Sequence, residues 1–304
     1  MKCLKPIHVN GNTFNCGHCI NCRVNYTQMW SLRLIYELSE ANAASFLTLT
    51  YSPEYYPKDC GLHKEDLQKF FKRLRINLQR EYHEFAPKIR YYAVGEYGSE
   101  TMRCHYHAIV FGLNDLDDKH RDIVRKSWPY CEPWLFDKQR RRKSGMQEVT
   151  PDDINYVTGY VQKKLDGELA RETYGDRQPP FAICSQSLGL GFAQENKDRL
   201  INNGWTYFKG HRVSIPRFYC EKFGVKKSEL ISDVEVDPEK MEYSAKELFH
   251  LFKQKMQTES TWYPENLKML EHRMSLWLQR REFENSKQIY DDFLRRRKLL
   301  GGKL

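Results

Sequence analysis

Cys104-His105-Tyr106-His107-Ala108-Ile109-Val110-Phe111-Gly112 is the stretch of sequence that decides the fold class. Its apolar, β-branched and aromatic residues predict a strand, and a similar run, Ile89–Tyr97, precedes it across a loop that contains Gly98. The two runs predict a hairpin with a longer loop. Helices and strands elsewhere alternate without the regular spacing of β-α-β units, which favours an α+β fold with an antiparallel sheet over a doubly wound parallel one.

The two histidines of this strand predict a metal site. Successive side chains of a strand point to opposite faces, so His105 and His107 share one face and Tyr106 takes the other. A hairpin register that places Glu96 opposite His105 adds a carboxylate to that face. Two imidazoles and one carboxylate with open positions suit Mg²⁺ or Mn²⁺. Ordinary strand residues are one alternative, and an Fe(II) oxygenase, which uses the same ligand types, is another.

Outward from the hairpin, the patterns predict further elements. Apolar residues at helical spacing predict a first helix around Trp30–Leu38. Phe46–Tyr51 is a β-branched and aromatic run that predicts a strand, and residues 64–82 predict a second amphipathic helix. The sequence beyond about residue 225 is charged and helical in pattern.

These patterns predict three regions. Residues 1–44 form a Cys-rich element with the first helix, 45–225 form the main domain, and 226–304 form a helical C-terminal region. No internal repeat is evident.

A further helix begins near Thr150. Thr150 is the predicted N-cap, Pro151 takes the first helical position, and Asp153 stands three residues after the cap. The apolar stripe of this helix consists of Ile154, Val157, Val161 and Leu165.

Two tyrosines of this helix lie off its apolar stripe. Tyr156 and Tyr160 are four residues apart and share a face, with Lys163 and Lys164 one turn further on. Phenols beside ammonium groups suit covalent phosphoryl transfer, in which tyrosine is the nucleophile and lysine stabilises negative charge. The alternative is a surface helix whose tyrosines cover a neighbouring loop.

Cysteines near the N-terminus predict a second metal site. The spacing Cys-x-x-Cys-x-x-Cys with one cysteine upstream fits a structural Zn²⁺ knuckle, formed by Cys3, Cys16, Cys19 and Cys22. His18 or His8 is an alternative to Cys3 as the fourth ligand. Free thiols are an equal alternative, whereas iron–sulfur ligation is disfavoured because no further cysteine follows Cys22 at the expected spacing.

Composition and charge favour a nucleic-acid partner. The 304 residues are 40% hydrophobic and 29% charged, which is enough to form a core, and the net charge is +9. A basic loop is predicted to contact DNA phosphates through Lys138, Arg140, Arg141, Arg142 and Lys143, although a solvated surface is the alternative. We expect no signal peptide or membrane span, and the nine cysteines are expected to be thiols or ligands in a reducing cytoplasm.

Three elements in this order resemble motifs of a known superfamily. Phe46–Tyr51 (FLTLTY), His105–His107 (HYH) and Tyr156–Lys164 (YVTGYVQKK) are similar to motifs I, II and III of the HUH endonucleases. The two-tyrosine form and the Cys-rich opening resemble the rolling-circle initiators of Microviridae, gokushovirus branch. The resemblance covers about residues 1–165. Cys104 departs from the proline that many relatives carry before the first histidine.

The resemblance implies a fold, an activity and partners. The fold is an HUH-like sheet of about five antiparallel strands flanked by helices. His105, His107 and Glu96 would hold Mg²⁺ or Mn²⁺, and Tyr156 and Tyr160 would nick single-stranded DNA at an origin through a 5′-phosphotyrosyl link. Lys163 or Lys164 matches the motif III lysine, and the motif I strand adds predicted DNA contacts at Thr48, Thr50 and Tyr51.

Host proteins would complete such a replication cycle. A host polymerase would extend the 3′-OH, and a host helicase is expected because the sequence has no Walker A pattern. The alternatives are a plasmid or transposon nuclease of the same superfamily and a non-catalytic nucleic-acid-binding protein with a zinc knuckle.

Overall fold

A computed structural model describes residues 3–98, 101–137, 144–163, 167–208, 211–226 and 230. The basic loop 138–143 and almost all of the predicted C-terminal region 226–304 lie outside these residues. The chain divides into two units, Met1–Thr206 with Ser214–Ser232 and Tyr207–Val213 with Asp233–Leu304. The boundaries of the three regions expected from the sequence stay a prediction.

The chain opens with a small hairpin and a long helix. β1 (Ile7–Val9) pairs antiparallel with β2 (Asn12–Phe14), and α1 spans Ile20–Glu40. Asn10 and Gly11, which join the two strands, have φ of 49° and 74°. Positive φ at both central residues is what a two-residue type I′ turn requires, and Asn-Gly satisfies it at the lowest cost. The hairpin was not predicted.

Five strands form one antiparallel sheet within the described residues. They are β3 (Ala44–Thr50), β4 (Arg90–Tyr97), β5 (Cys104–Phe111), β6 (Met146–Glu148) and β7 (Phe181–Cys184), in the order β6-β3-β5-β4-β7. The predicted α+β class and the five-stranded antiparallel sheet are therefore confirmed. β5, the strand of the two histidines, lies at the centre with β3 and β4 on either side.

One face of the sheet carries the larger apolar core. Helices α2 (Lys64–Tyr82) and α3 (Asp118–Ser127) cover this face, and α2 has the bounds that its apolar spacing predicts. The α2 residues Leu67, Phe70 and Leu74 are fully buried there. From the sheet come Leu47, Leu49, Tyr106, Ala108 and Val110, which alternate along β3 and β5 as the period of two requires.

The opposite face is covered by α1 and α4 (Pro151–Lys163). Leu34 of α1 and Ile154 and Val157 of α4 pack on Phe46 and Ile109 of the sheet. Ser31 Oγ lies 2.7 Å from Thr158 Oγ1, and Thr27 Oγ1 donates to the Thr158 carbonyl oxygen at 3.3 Å. Because these polar groups are buried and mutually bonded, they fix α4 against α1.

The remaining described elements follow α4. They are α5 (Gly167–Tyr174), α6 (Leu190–Glu195), α7 (Lys197–Asn203) and α8 (Arg217–Phe223), with a separate two-stranded sheet of β8 (Trp205–Phe208) and β9 (His211–Ser214). Among the described residues, no helix has both the length and the apolar character needed to cross a membrane.

Candidate active site

Three ligand-bearing side chains meet on the face of the sheet that α1 and α4 cover. Glu96 pairs with His105 across the β4–β5 ladder, which confirms the predicted register. His105 Nε2 lies 2.7 Å and His107 Nε2 3.1 Å from Glu96 Oε1. Glu96 and His107 are only 7% and 6% exposed. The backbone ladder therefore brings the three predicted ligands together without any loop.

The far nitrogen of each imidazole is also held. His105 Nδ1 lies 3.0 Å from the carbonyl oxygen of Arg103, which can only accept, so Nδ1 carries the hydrogen. His107 Nδ1 lies 3.2 Å from Thr48 Oγ1 on the neighbouring strand β3. Phe46 stacks on the His107 ring with centroids 5.3 Å apart. These contacts fix the orientation of both rings, as partners of metal-binding histidines usually do.

Burial and charge set the protonation of this cluster. Burial alone would raise the pKa of Glu96, but the hydrogen bonds and charges of His105 and His107 outweigh it and hold that pKa below its ordinary value. Burial lowers the pKa of His107, although the neighbouring Glu96 opposes the shift. At neutral pH the cluster thus combines a carboxylate with a neutral imidazole, which are the forms that bind metal ions.

The distances fit a divalent cation. In the neutral ring of His105, Nε2 presents a lone pair to Glu96 Oε1 at 2.7 Å, and two electron-rich atoms this close need a proton or a cation between them. Adjacent ligands of an octahedral ion with bonds of about 2.1 Å are about 3.0 Å apart, close to the two distances observed. The cluster can therefore hold a metal ion.

The helix with the predicted nucleophiles begins as its sequence indicates. Asp153 N donates to Thr150 Oγ1 at 3.2 Å, and Thr150 N donates to Asp153 Oδ2 at 2.7 Å, which is a reciprocal capping box. Tyr156 is 48% exposed, whereas Val157 beside it is fully buried. The Tyr156 ring lies 5.3 Å from the His107 ring, centroid to centroid, in an edge-to-face arrangement. One predicted nucleophile thus lies next to the ligand cluster.

Not every predicted site residue is brought to this face. Thr48 and Thr50 lie on it, opposite His107 and His105. Tyr51 packs in the core of the other face, is 3% exposed, and has its hydroxyl 2.9 Å from both Asp66 Oδ2 and Tyr106 Oη. This position does not support the DNA contact expected of Tyr51, because the period of two puts residue 51 opposite residues 48 and 50.

Several predicted residues cannot be placed. The side chains of Tyr160 and Lys163 fall outside the described part of the chain, although the backbone of both belongs to α4. Lys164 and the basic loop residues Lys138, Arg140, Arg141, Arg142 and Lys143 lie outside it entirely.

The four N-terminal cysteines form the second ligand cluster. Cys3 Sγ lies 3.5 Å from Cys16 Sγ and 3.8 Å from Cys19 Sγ, and Cys16 Sγ lies 4.0 Å from Cys22 Sγ. Sulfur atoms at the corners of a tetrahedron around Zn²⁺, with bonds of about 2.3 Å, are about 3.8 Å apart. The group that the structure assembles includes Cys3, while His8 contacts Thr13 instead.

Backbone amides favour thiolates in this cluster. Leu4 N donates to Cys19 Sγ at 3.4 Å, and hydrogen bonds from backbone N–H groups lower the pKa of Cys19 to about 6. Backbone hydrogen bonds from Cys19 and His18 also lower the pKa of Cys16. Burial raises the pKa of Cys22 to about 12, so the set loses its protons together only if a cation compensates the charge.

The sequence analysis overlooked one feature of the first cluster. Thr48 was expected to contact DNA, but its hydroxyl lies against His107. Its signal was available in the sequence, because a threonine on a strand that pairs with the histidine strand can reach an imidazole on the same face.

Comparison with known proteins agrees with this fold and site. A family model for replication-associated proteins of the ORF2 type matches residues 44–165. Replication-associated protein VP4 of Bdellovibrio phage phiMH2K is 28% identical over 270 residues, which cover 81% of this chain and 82% of the relative. Replication-associated protein ORF2 of Spiroplasma virus 4 is 29% identical over 227 residues, 70% of this chain and 68% of the relative. No solved structure matches the chain.

Fold and comparisons together define a class, the phage replication-associated proteins. Replication-associated protein ORF4 of Chlamydia phage 1 is also 29% identical, over 67% of this chain and 52% of the relative. These matches confirm the resemblance found in the motifs and support a rolling-circle initiator of the Microviridae.

Proposed function

We propose that the chain initiates rolling-circle replication by nicking single-stranded DNA and joining itself to the cut end through Tyr156 or Tyr160. The observation that carries the proposal is the contact between the Tyr156 ring and His107, one of three ligands that converge on a point accessible from α4. A tyrosine beside a metal site on a basic chain suits transesterification of a phosphodiester.

The residues would divide the work as follows. Glu96, His105 and His107 would hold Mg²⁺ or Mn²⁺, which supplies the charge that polarises the scissile phosphate. The phenol oxygen of Tyr156 would form a bond to phosphorus as the bond to the 3′-oxygen breaks. The phenol proton passes to solvent, and the departing oxygen takes a proton up. The products are a 5′-phosphotyrosyl link and a 3′-OH.

The remaining roles follow from the same chemistry. Tyr160 would repeat the reaction when the origin is regenerated, and Lys163 or Lys164 would stabilise the negative charge. Basic loop residues 138–143 and the Thr50 region would contact the phosphates of the strand. Host polymerase and helicase in the cytoplasm of a bacterium would extend the 3′-OH and separate the strands.

The cysteine cluster completes the proposal. We infer that Cys3, Cys16, Cys19 and Cys22 bind one Zn²⁺, because their sulfur atoms have tetrahedral spacing. Elemental mass spectrometry of the purified chain should find about one zinc per molecule, and Cys19→Ser should lower it. Iron, or no metal at all, would contradict the assignment.

The nicking reaction is tested with the single-stranded circle of the protein's own replicon and Mn²⁺. A denaturing gel should show a covalent protein–DNA adduct, which peptide mass spectrometry places on Tyr156 or Tyr160. His105→Ala should abolish the adduct. Tyr55→Phe is the matched control, because Tyr55 is as exposed as Tyr156 but lies away from the ligand cluster. DNA binding without an adduct would favour a non-catalytic binding protein.

A further inference from the structure

The N-terminal hairpin exposes both of its faces. Every residue from Leu4 to Asn15 is exposed, so β1 and β2 pack on no core among the described residues. An isolated two-stranded hairpin is marginally stable in water. Its attachment is the sulfur cluster, since Cys3 precedes β1, Cys16 follows β2, and their Sγ atoms are 3.5 Å apart.

One face of this hairpin is apolar although it faces solvent. Ile7 pairs with Phe14 across the hairpin, and Val9 lies two residues further on the same face. Their exposed fractions are 49% for Ile7, 51% for Phe14 and 49% for Val9. The opposite face is polar, since His8 Nδ1 and Thr13 Oγ1 are 3.0 Å apart there. A clustered apolar face on a polar hairpin indicates a binding surface.

The charge around this face is entirely positive. The first 36 residues contain no Asp or Glu, and the first acidic residue is Glu37. Lys5, which is exposed, lies two residues before β1, and Arg23 begins the second turn of α1. A second copy of the chain would bring two equally basic elements together, whereas a polyanion would neutralise them.

We propose that this face of the hairpin binds single-stranded DNA by stacking a base on Phe14, with Ile7 and Val9 beside it and Lys5 against the phosphates. An exposed aromatic ring with positive charge nearby is the arrangement that binds single strands without regard to sequence. The inference rests on the proposed function for the kind of nucleic acid that the chain meets.

The position of the hairpin gives this contact a purpose. Cys19 is the N-cap of α1, and α1 packs along α4, which carries Tyr156. DNA held by the hairpin is therefore held at the N-terminal end of the helix that supports the nucleophile. The hairpin retains the strand next to the cut site, independently of the bases that the site itself selects.

The test is fluorescence anisotropy of labelled (dT)20, which lacks an origin, with the full-length zinc-loaded protein. Phe14→Ala should weaken binding at least about 5-fold, because stacking of one base is worth about 1 kcal/mol or more. Phe14→Trp should restore it. Phe85→Ala is the matched control, since Phe85 is an exposed aromatic residue on another element. Lys5→Gln should lower the slope of log affinity against log salt by about 0.7.

Unchanged affinity of Phe14→Ala, with unchanged zinc content, would overturn the inference. A change of oligomeric state in light scattering without loss of DNA affinity would assign the face to a second copy and overturn it too. Tyr156→Phe with Tyr160→Phe should keep full (dT)20 binding. Failure of nicking by every variant would refute the proposed function while leaving this binding comparison intact.

Discussion

Replacing Thr48 by valine tests whether the hydroxyl on β3 orients a metal ligand. The change keeps the β-branched shape that suits a strand and removes the oxygen 3.2 Å from His107 Nδ1. We expect weaker binding of Mn²⁺, because the His107 ring loses the partner that fixes its rotation and tautomer.

The magnitude follows from the contact. One net hydrogen bond contributes about 0.5–1.5 kcal/mol, which corresponds to roughly 2- to 12-fold in affinity. Loss of an outer partner of a metal-binding histidine costs about 10- to 100-fold. Thr48 is only half-buried, so water can partly replace its hydroxyl. We therefore expect a loss of about 10-fold, at the lower end of the second range.

Thr50→Val is the matched control for this experiment. Thr50 lies on the same strand and face, but it pairs with His105, whose Nδ1 is held by the Arg103 carbonyl oxygen. Isothermal titration with Mn²⁺ and electron paramagnetic resonance of the bound ion give the two affinities. Equal affinities for Thr48→Val, Thr50→Val and the unmodified protein would refute the reasoning, as would equal losses in both variants.

Three other changes test the fold and the site. Gly159→Ala should raise the free energy of unfolding by about 1 kcal/mol, because an added Cβ meets nothing within 4 Å, and should lower nicking if DNA occupies that space; urea unfolding without a gain contradicts the first part. Tyr51→Phe should lower stability by about 1–3 kcal/mol, because its buried hydroxyl bonds Asp66 and Tyr106, whereas Tyr55→Phe should change it little. Burial lowers the pKa of His120, and Asn114 N donates to its Nδ1. The unfolded chain therefore binds more protons below about pH 6.5, so stability should fall with pH there, by at most about 1.4 kcal/mol per unit for this group, and less in His120→Gln.

Periodicity predicted the parts of the fold that have one buried and one distinct face. The strand with His105 and His107 alternates between apolar and functional positions, so its register with Glu96 followed from the sequence. The second helix was predicted at its observed bounds for the same reason.

The remaining features lack that signal. The hairpin of β1 and β2 has no buried face, so nothing in its apolar pattern indicates strands, and only Asn10-Gly11 marks its turn. Tyr51 was grouped with Thr48 and Thr50 by motif rather than by period, and it lies on the other face. Thr48 was assigned to DNA because a cross-strand hydrogen bond is a tertiary contact.

The ligands and the nucleophile belong to different layers of the protein. Glu96 and the histidines are spaced by the hydrogen bonds of two neighbouring strands, and this spacing cannot change without breaking the ladder. Tyr156 instead depends on how one helix sits on another, through the pair Ser31 and Thr158. The four residues between Tyr156 and Tyr160 correspond to about 6 Å of rise along α4. A shift of α4 by one turn would exchange the two tyrosines over an unaltered ion site, so a single rigid centre can serve two nucleophiles in succession.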